Sequence, residues 1–536
     1  MTERGDWNPG LKARLSPWHL WLTLTGLLSV SHFATFNIAN TPLVTDVRLY
    51  VYFAAQKAAG AVPYRDFVDI KTPLATFAGA ALIRAGEIFQ VDALTAIRIG
   101  YLAVAAAMPL LYFIVHIQLR PDDGVSGFWG AFAFCGFPLL GFLPSVGNIP
   151  KLLMAFFAAI AVILIAKRRW FLAGATGALA CLDWQIGILV LLASITGSAF
   201  DGGNRKNAAL RVCMGALIPI APFFLYFWFH GALVDAFQQI VICAFVRGRS
   251  ASLDLLGNIR HISRVVEMGC DGHEWLVVIA IIGACVFPLW IRRNLRKAAR
   301  SQVCALAVYH YGIVAYSLVD FQRFGDLFIL LHTVAFFLGI AFVELYAFLR
   351  FAQSQSASVI SRLWRRGRLS IVLMCVVVLA MTRPSFLRAH YSLPGPGISR
   401  NASLDDQREV NQAFVPYAHG KKLAFVKHIE QLFLGGLKND IPYANWAAGD
   451  RYHARLSAAQ SQLDTWDRII RTTCPEVFAP PGKALPGRGL MEYFEPVTLA
   501  SNNGAYQMTF YVLKESVGVE RYKNEYCSMG DSVALN

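Results

Sequence analysis

Apolar runs of roughly the length needed to cross a bilayer recur along this chain, separated by short polar stretches. They fall at 17–37, 97–117, 125–143, 152–166, 171–199, 212–230, 275–291, 303–319, 327–349 and 369–382, with a mixed segment at 38–95. The run 171–199 is too long for one span and is interrupted by "LDWQ", so it divides into two short spans with Asp183 at the outer turn. Basic residues gather in "KRRW", "GGNRKNAALR", "RRNLRKAAR" and the Arg-rich segment 350–368. Threading the spans in order places all these clusters on the same side as Arg4, Lys12 and Arg14, the distribution that the positive-inside rule describes. The pattern predicts an all-α polytopic membrane bundle of about eleven transmembrane helices, with the N-terminus cytoplasmic. The first apolar run is long enough to be an uncleaved span rather than the shorter core of a signal peptide.

The pattern changes after residue 383. "RPSFLRAHYSLPGPGISRNASLDDQREVNQ" is polar and rich in Pro and Gly, as linkers are. "LSAAQSQLDTWDRIIRTTCPEVF" has the spacing of an amphipathic helix stopped by Pro475, and "YQMTFYVLK" alternates as a strand does. The organisation expected is a transmembrane domain over 1–382, a linker over 383–394 and a small extracytoplasmic α+β domain over 395–536.

Composition agrees with a membrane protein: 56% of residues are hydrophobic and only 15% charged. The net charge of +15 lies largely in the clusters between spans, which argues against nucleic acid as a partner. Of the ten cysteines, only Cys474 and Cys527 lie in the polar C-terminal part. In an oxidising compartment such a pair is either a disulfide or two free thiols, and spacing alone does not decide.

The mixed segment 38–95 carries the chemistry. Asp46 opens a helical run, Gly60 and Pro63 end it, and "YRDFVDIKTP" packs charges before the apolar "LATFAGAALIRAGEIF". That last stretch suits a helix lying in the membrane interface, because the alternation of sides works only if it does not cross. The charged stretch would then line a pocket at the outer mouth of the bundle.

"TDVRLYVYFAAQKAAGAVPYRDFVDIKTPL" resembles the first outer loop of the GT-C membrane glycosyltransferases. That superfamily includes dolichyl-phosphate-mannose protein mannosyltransferases and the aminoarabinose transferases that modify lipid A. The matching positions are Asp46, Arg48 and Tyr50, then Gly60, Tyr64 and Asp66, then Lys71 with Thr72 before Pro73. Two positions depart from the family pattern. Val47 stands where many members have a second acid, and the second outer loop offers Asn148 and Lys151 where many have an Asp.

The resemblance implies an inverting transfer of a sugar from a polyprenyl-phosphate carrier to a glycan, lipid or protein acceptor, on the outer face of an inner (plasma) membrane. It implies Asp46 as the base for the acceptor hydroxyl. It also implies Lys71 with Arg48 or Arg65 on the donor phosphate, where a lipid phosphate leaving group calls for fixed cations. Arg323, in "DFQRFGD", opens onto the same side and is a further phosphate candidate; Tyr50, Tyr64, Asp66, Asp69 and Asp183 are candidates for the substrate pocket.

No cofactor beyond the lipid-linked donor is indicated. The sequence shows no metal-ligand spacing, although a divalent metal stays open. There is no P-loop or Rossmann fingerprint, which argues against a nucleotide sugar as direct donor.

Each residue also has a plainer reading: Asp46 as a helix-start carboxylate, Lys71 as an interfacial anchor, Arg65 and Asp66 as a solvent ion pair. Two rival functions remain. An O-antigen polymerase or ligase would place its essential Arg and His in a late loop. A transporter or flippase would show inverted repeats or ionisable groups at mid-membrane, and the sequence displays neither.

Overall fold

A computed structural model describes residues 17–43, 46–119, 124–137, 139–201, 203–242, 255–270, 274–294, 300–319, 321, 324–354, 402–426, 428–441, 470–480 and 490–527. The span expected at 369–382, the linker at 383–394 and most of the amphipathic helix expected after 456 lie outside these residues.

The chain opens with α1 (Pro17–Phe33), followed by α2 (Val47–Ala58) and α3 (Leu74–Ile88), which form the mixed segment. The bundle continues with α4 (Ala93–Leu119), α5 (Gly124–Cys135), α6 (Leu139–Val146), α7 (Pro150–Ala166), α8 (Trp170–Asp183), α9 (Ile188–Ala199) and α10 (Arg205–Phe229). After the short α11 (Leu233–Phe237) come α12 (Leu255–Cys270), α13 (Glu274–Asn294), α14 (Arg300–Val319) and α15 (Phe324–Ser354). Among these, α4, α10, α13, α14 and α15 are long and apolar enough to span a membrane, and α5 with α6 adds a sixth if the two count as one span. The protein is therefore a multi-pass membrane protein.

Two features of the bundle follow directly from local sequence. The run 125–143 is two helices rather than one, and the first ends just before Gly136, a residue that loosens a helical ladder. The run 171–199 divides at Trp184, whose extended backbone ends α8 at Asp183, as "LDWQ" predicts. Where α8 and α10 cross, a Cβ on Gly174 would sit 2.0 Å from the Val212 carbonyl and one on Gly215 would sit 1.9 Å from that of Phe171. Only glycine lets the two backbones approach so closely, the usual device for packing helices in a membrane.

The C-terminal unit holds α16 (Leu404–Ala418), β1 (Leu423–Phe425), α17 (Ile429–Leu434), β2 (Val477–Ala479), β3 (Phe494–Ala500), β4 (Gln507–Leu513) and α18 (Val519–Tyr522). "SLDD" starts α16 with a capping box, Ser403 and Asp406 each bonding the other's backbone N–H. The strands form one sheet in the order β1-β2-β4-β3, with β1 and β2 parallel and the other neighbours antiparallel. The alternation in "YQMTFYVLK" becomes β4, which pairs with β3 from Phe494↔Leu513 to Ala500↔Gln507. Phe478 stacks on Tyr511 at 5.1 Å in the small core beneath this sheet. Cys474 and Cys527, open between two readings in the sequence, are joined as a disulfide.

One apolar core is continuous from the bundle through α2 into α16 and the sheet, running from Phe53 and Phe67 to Phe414 and Phe510. The segment after α1 is tied down by a residue the sequence reading left inside a span. Arg98, on α4, is 1% exposed and donates from Nε to the Val146 carbonyl at 2.9 Å, from Nη1 to that of Ile38 at 2.6 Å and from Nη2 to that of Thr41. One guanidinium thus satisfies three carbonyls from two separate segments.

Arg98→Leu leaves these carbonyls unpaired, and we expect it to cost about 3 kcal/mol or more, while a more apolar α4 still inserts. Thermal unfolding in detergent checks this. A midpoint equal to wild type would show that the clamp contributes nothing.

Candidate functional site

The charged segment between α2 and α3 is a built structure. Gly60 at φ +100 and Tyr64 at φ +70 reverse the chain, Tyr64 adopting the left-handed conformation that non-glycine residues rarely take. That conformation is over-determined. Tyr64 donates its N–H to the Phe67 carbonyl at 2.9 Å and its hydroxyl to the Lys71 carbonyl at 2.7 Å, and its ring packs edge-on against Phe227. Gln239, buried after α11, brackets the segment: its amide donates to the Tyr64 carbonyl at 2.7 Å and accepts from the Asp69 N–H at 3.0 Å. Gln185 donates to the Ile70 carbonyl from the α8–α9 break.

These bonds reassign several expected pocket residues. Tyr64 is buried and builds the turn, so it does not line an open pocket. Asp66 accepts from the Val62 N–H at 2.7 Å and pairs with Arg65 at 2.8 Å, and Arg65 holds its carboxyl below the usual range. Arg65 also donates to the His230 carbonyl at 3.1 Å, and the ion pair it makes with Asp66 is the one that the plainer reading of the sequence describes. Asp69 is buried and accepts from the Lys71 N–H at 2.9 Å. Burial pushes its carboxyl up to about 7.

Lys71 is thereby presented towards Trp184. Its Nζ lies 5.1 Å from the indole centre, and the Nζ of Lys151, on α7, lies 4.7 Å from the same centre. Lys151 is also paired with Asp326 of α15 at 2.7 Å, with both side chains buried. Asp183, immediately before Trp184, is fully buried rather than exposed at a turn. One of its oxygens accepts from the Met154 N–H at 2.9 Å, and the other has no hydrogen-bond partner among the described residues. Two ammonium groups therefore converge on one aromatic ring, an arrangement suited to an anion.

Asn148 joins this cluster to the start of α2. Its amide donates to the Ala75 carbonyl at 3.0 Å and reaches that of Tyr50 at 3.5 Å, linking the first turns of α3 and α2 three residues before Lys151. Asn148 and Lys151 are where the sequence departed from the family pattern, and the sequence reading gave neither Lys151 nor Asp326 a role. Lys151 was named there and Asp326 stands in the quoted "DFQRFGD", but their pairing across 175 residues has no local signature.

Asp46 is exposed at the N-terminus of α2, and its side chain makes no capping bond. Arg48 is paired across the chain: its Nη1 lies 3.1 Å from Oε2 of Glu430, a carboxylate with no exposed surface on α17. Burial alone would push that carboxyl up, but Arg48, His428 and Tyr506 together hold it below the usual range. Arg48 therefore ties α2 to the C-terminal unit. Tyr50 is partly buried on the same helix, and Arg323 lies outside the described residues.

No group of three or more His, Cys, Asp or Glu suited to a metal occurs among the described residues. Ionisable groups do occur inside the bundle, contrary to the sequence reading. Besides Lys151 and Asp326, His116, His310 and His332 are buried there, and His332 lies 2.5 Å from the Tyr112 hydroxyl.

The raised carboxyl of Asp69 gives stability a definite pH dependence. The folded protein keeps that proton to about pH 7, whereas the unfolded chain releases it near 3.8. The contribution is complete below the lower value and is lost as pH rises through the upper one. Asp69→Asn keeps the acceptor for the Lys71 N–H without the titration. Its thermal midpoint should match wild type near about pH 4 and exceed it increasingly up to about pH 7, with a constant gap above. Parallel midpoints across that range would remove Asp69 as the cause.

Comparison with known proteins gives the fold a context. No protein-family description matches the sequence, and no curated protein matches it. Among solved structures, ArnT from Cupriavidus metallidurans in the apo state matches with a TM-score of 0.54 over 92% of this chain and 97% of that one, at 14% identity. ArnT bound to undecaprenyl phosphate matches at 0.52 over 94% and 99%, at 11% identity. The Archaeoglobus fulgidus oligosaccharyltransferase matches at 0.45 and 14% identity over 75% of this chain, which spans 55% of that protein's length. The likeness to ArnT extends over the bundle and the C-terminal unit together, and this chain has a GT-C-like membrane fold.

Proposed function

We propose that this protein is an integral-membrane glycosyltransferase that takes a sugar from a polyprenyl-phosphate carrier. The observation that carries the reading is the convergence of Lys71 and Lys151 on Trp184, beside a loop whose first helix begins at Asp46. A lipid phosphate leaving group needs fixed cations that are in place before charge develops on it, and two lysines held by a bracketed loop and a buried ion pair supply them. The match in fold to ArnT bound to undecaprenyl phosphate supports the same donor class.

In this reading the acceptor hydroxyl approaches Asp46, whose carboxylate takes its proton as the oxygen attacks the anomeric carbon. The bond from that carbon to the phosphate oxygen breaks on the opposite face, so configuration inverts. The released polyprenyl phosphate stays against Lys71 and Lys151 until it diffuses away in the membrane. The reaction would take place on the outer face of the inner membrane, on an envelope glycan, lipid or protein.

Two variants test this. Asp46→Asn should insert normally yet lose transfer by about 10²-fold or more, the usual contribution of a positioned base. In cells, at matched membrane levels, one envelope sugar should disappear while its polyprenyl-phosphate donor accumulates. Lys71→Ala should weaken use of the donor about tenfold with little effect on the acceptor, the worth of one charge-assisted hydrogen bond. Full transfer by Asp46→Asn would end the assignment of the base, and a loss confined to acceptor affinity in Lys71→Ala would end that of the phosphate site.

A further inference from the structure

The C-terminal unit touches the chain on both sides of Asp46. Three residues before it, Leu43 is held by the side-chain amide of Gln407 on α16. The Leu43 N–H donates to Oε1 at 2.8 Å, and Nε2 donates to the Leu43 carbonyl at 3.0 Å. Gln407 has no exposed surface, and its own carbonyl accepts from Gln431 at 3.2 Å. Two residues after Asp46, Arg48 is held by Glu430. Glu430 is fixed in turn by the Tyr506 hydroxyl at 2.6 Å and by His428 at 3.5 Å. Further along α2, the Tyr52 hydroxyl accepts from the Asn439 N–H at 2.9 Å.

These contacts determine more than adhesion. The Asp46 carbonyl accepts from the N–H groups of Leu49 and Tyr50, so Asp46 belongs to the first turn of α2 and moves with it. Arg48 in that turn is tied to a buried carboxylate, which fixes the rotation of α2 about its axis. Leu43 is gripped at both its backbone groups, three residues before Asp46. Asp46 itself makes no capping bond, so the placement of the backbone that carries its carboxylate rests on what holds its neighbours.

We propose that Gln407 and Glu430 are positioning residues for the Asp46 carboxylate, and that the C-terminal unit completes the catalytic loop from outside the bundle. The proposal rests on the reading of Asp46 as the base. An offset of about 1 Å at a reacting group is enough to cost up to 10²-fold in rate. Loosening either anchor should therefore lower transfer without touching the lysines that face the donor phosphate.

The test uses the full chain in membranes and in detergent, with four variants: Glu430→Gln, Gln407→Leu, the milder Gln407→Asn, and Asp46→Asn. Transfer is measured with lipid-linked sugars extracted from the producing cells, and donor-site integrity by binding of undecaprenyl phosphate to the purified protein. Hydrogen–deuterium exchange is followed in peptides covering 43–52 and 93–119.

The expected result is a fall in transfer of about tenfold or more for Glu430→Gln and Gln407→Leu, with a smaller fall for Gln407→Asn. Binding of undecaprenyl phosphate should stay within about twofold, and exchange should rise in 43–52 but not in 93–119. Unchanged exchange in 43–52 together with unchanged transfer would overturn the proposal. So would a fall in transfer accompanied by equal loss of undecaprenyl phosphate binding, because the anchors would then be supporting the whole fold. If Asp46→Asn alone retains full transfer, the base assignment fails and this proposal with it. If Asp46→Asn is inactive and the anchor variants are fully active, only the positioning role fails.

Discussion

Glu430 is a carboxylate with no access to solvent, and such a group persists only where its charge is matched and its lone pairs are occupied. Arg48 provides the charge, and Tyr506 and His428 occupy the oxygen left over. Because Arg48 comes from the first loop while the other partners come from the C-terminal unit, satisfying this one group joins the two ends of the molecule. A hydrophobic contact would also have joined them, but it would have left their relative rotation free. The ion pair with its hydrogen bonds permits one arrangement, and the continuous apolar core packs around that arrangement.

The loop between α2 and α3 obeys the same economy. A segment with this many polar groups cannot lie against an apolar bundle unless its backbone is satisfied. Gln239 and Gln185, which arrive from distant parts of the chain, do this by accepting and donating at Tyr64, Asp69 and Ile70. The result is a rigid support for Lys71. The cluster it joins is held from the other side by the pair between Lys151 and Asp326. Two lysines with like charge near one ring repel each other, and the buried carboxylate of Asp326, paired with Lys151, offsets part of that cost.

Much of this was legible in the sequence, for identifiable reasons. Apolar runs and basic clusters report on each span separately, so the bundle and the break at Trp184 could be read from local patterns. The strand at 507–513 was likewise visible, because its alternation is a local property. The loop was legible as a site through its crowd of charges, but the partner of each charge was not. Arg48 reads as a phosphate ligand until Glu430 appears, 382 residues away in sequence. Asp183 reads as a turn residue until the packing of α7 buries it, and nothing in the apolar run 97–117 announces that three carbonyls converge on its Arg98. Single-residue patterns carry no record of such long-range pairings, and those pairings decide which charges are left to face a substrate.

The separation between Arg48 and Glu430 also has a consequence in time. A ribosome adding residues at about 5–20 per second takes on the order of a minute to travel from one to the other. Throughout that interval the α2 segment has already been made while its anchors have not. A chain cut short between α7 and α16 would carry Asp46, Lys71 and Lys151, yet would lack Gln407 and Glu430. The anchors of the first loop are therefore made long after the loop itself, and a product cut short before α16 is left without the grip on either side of Asp46.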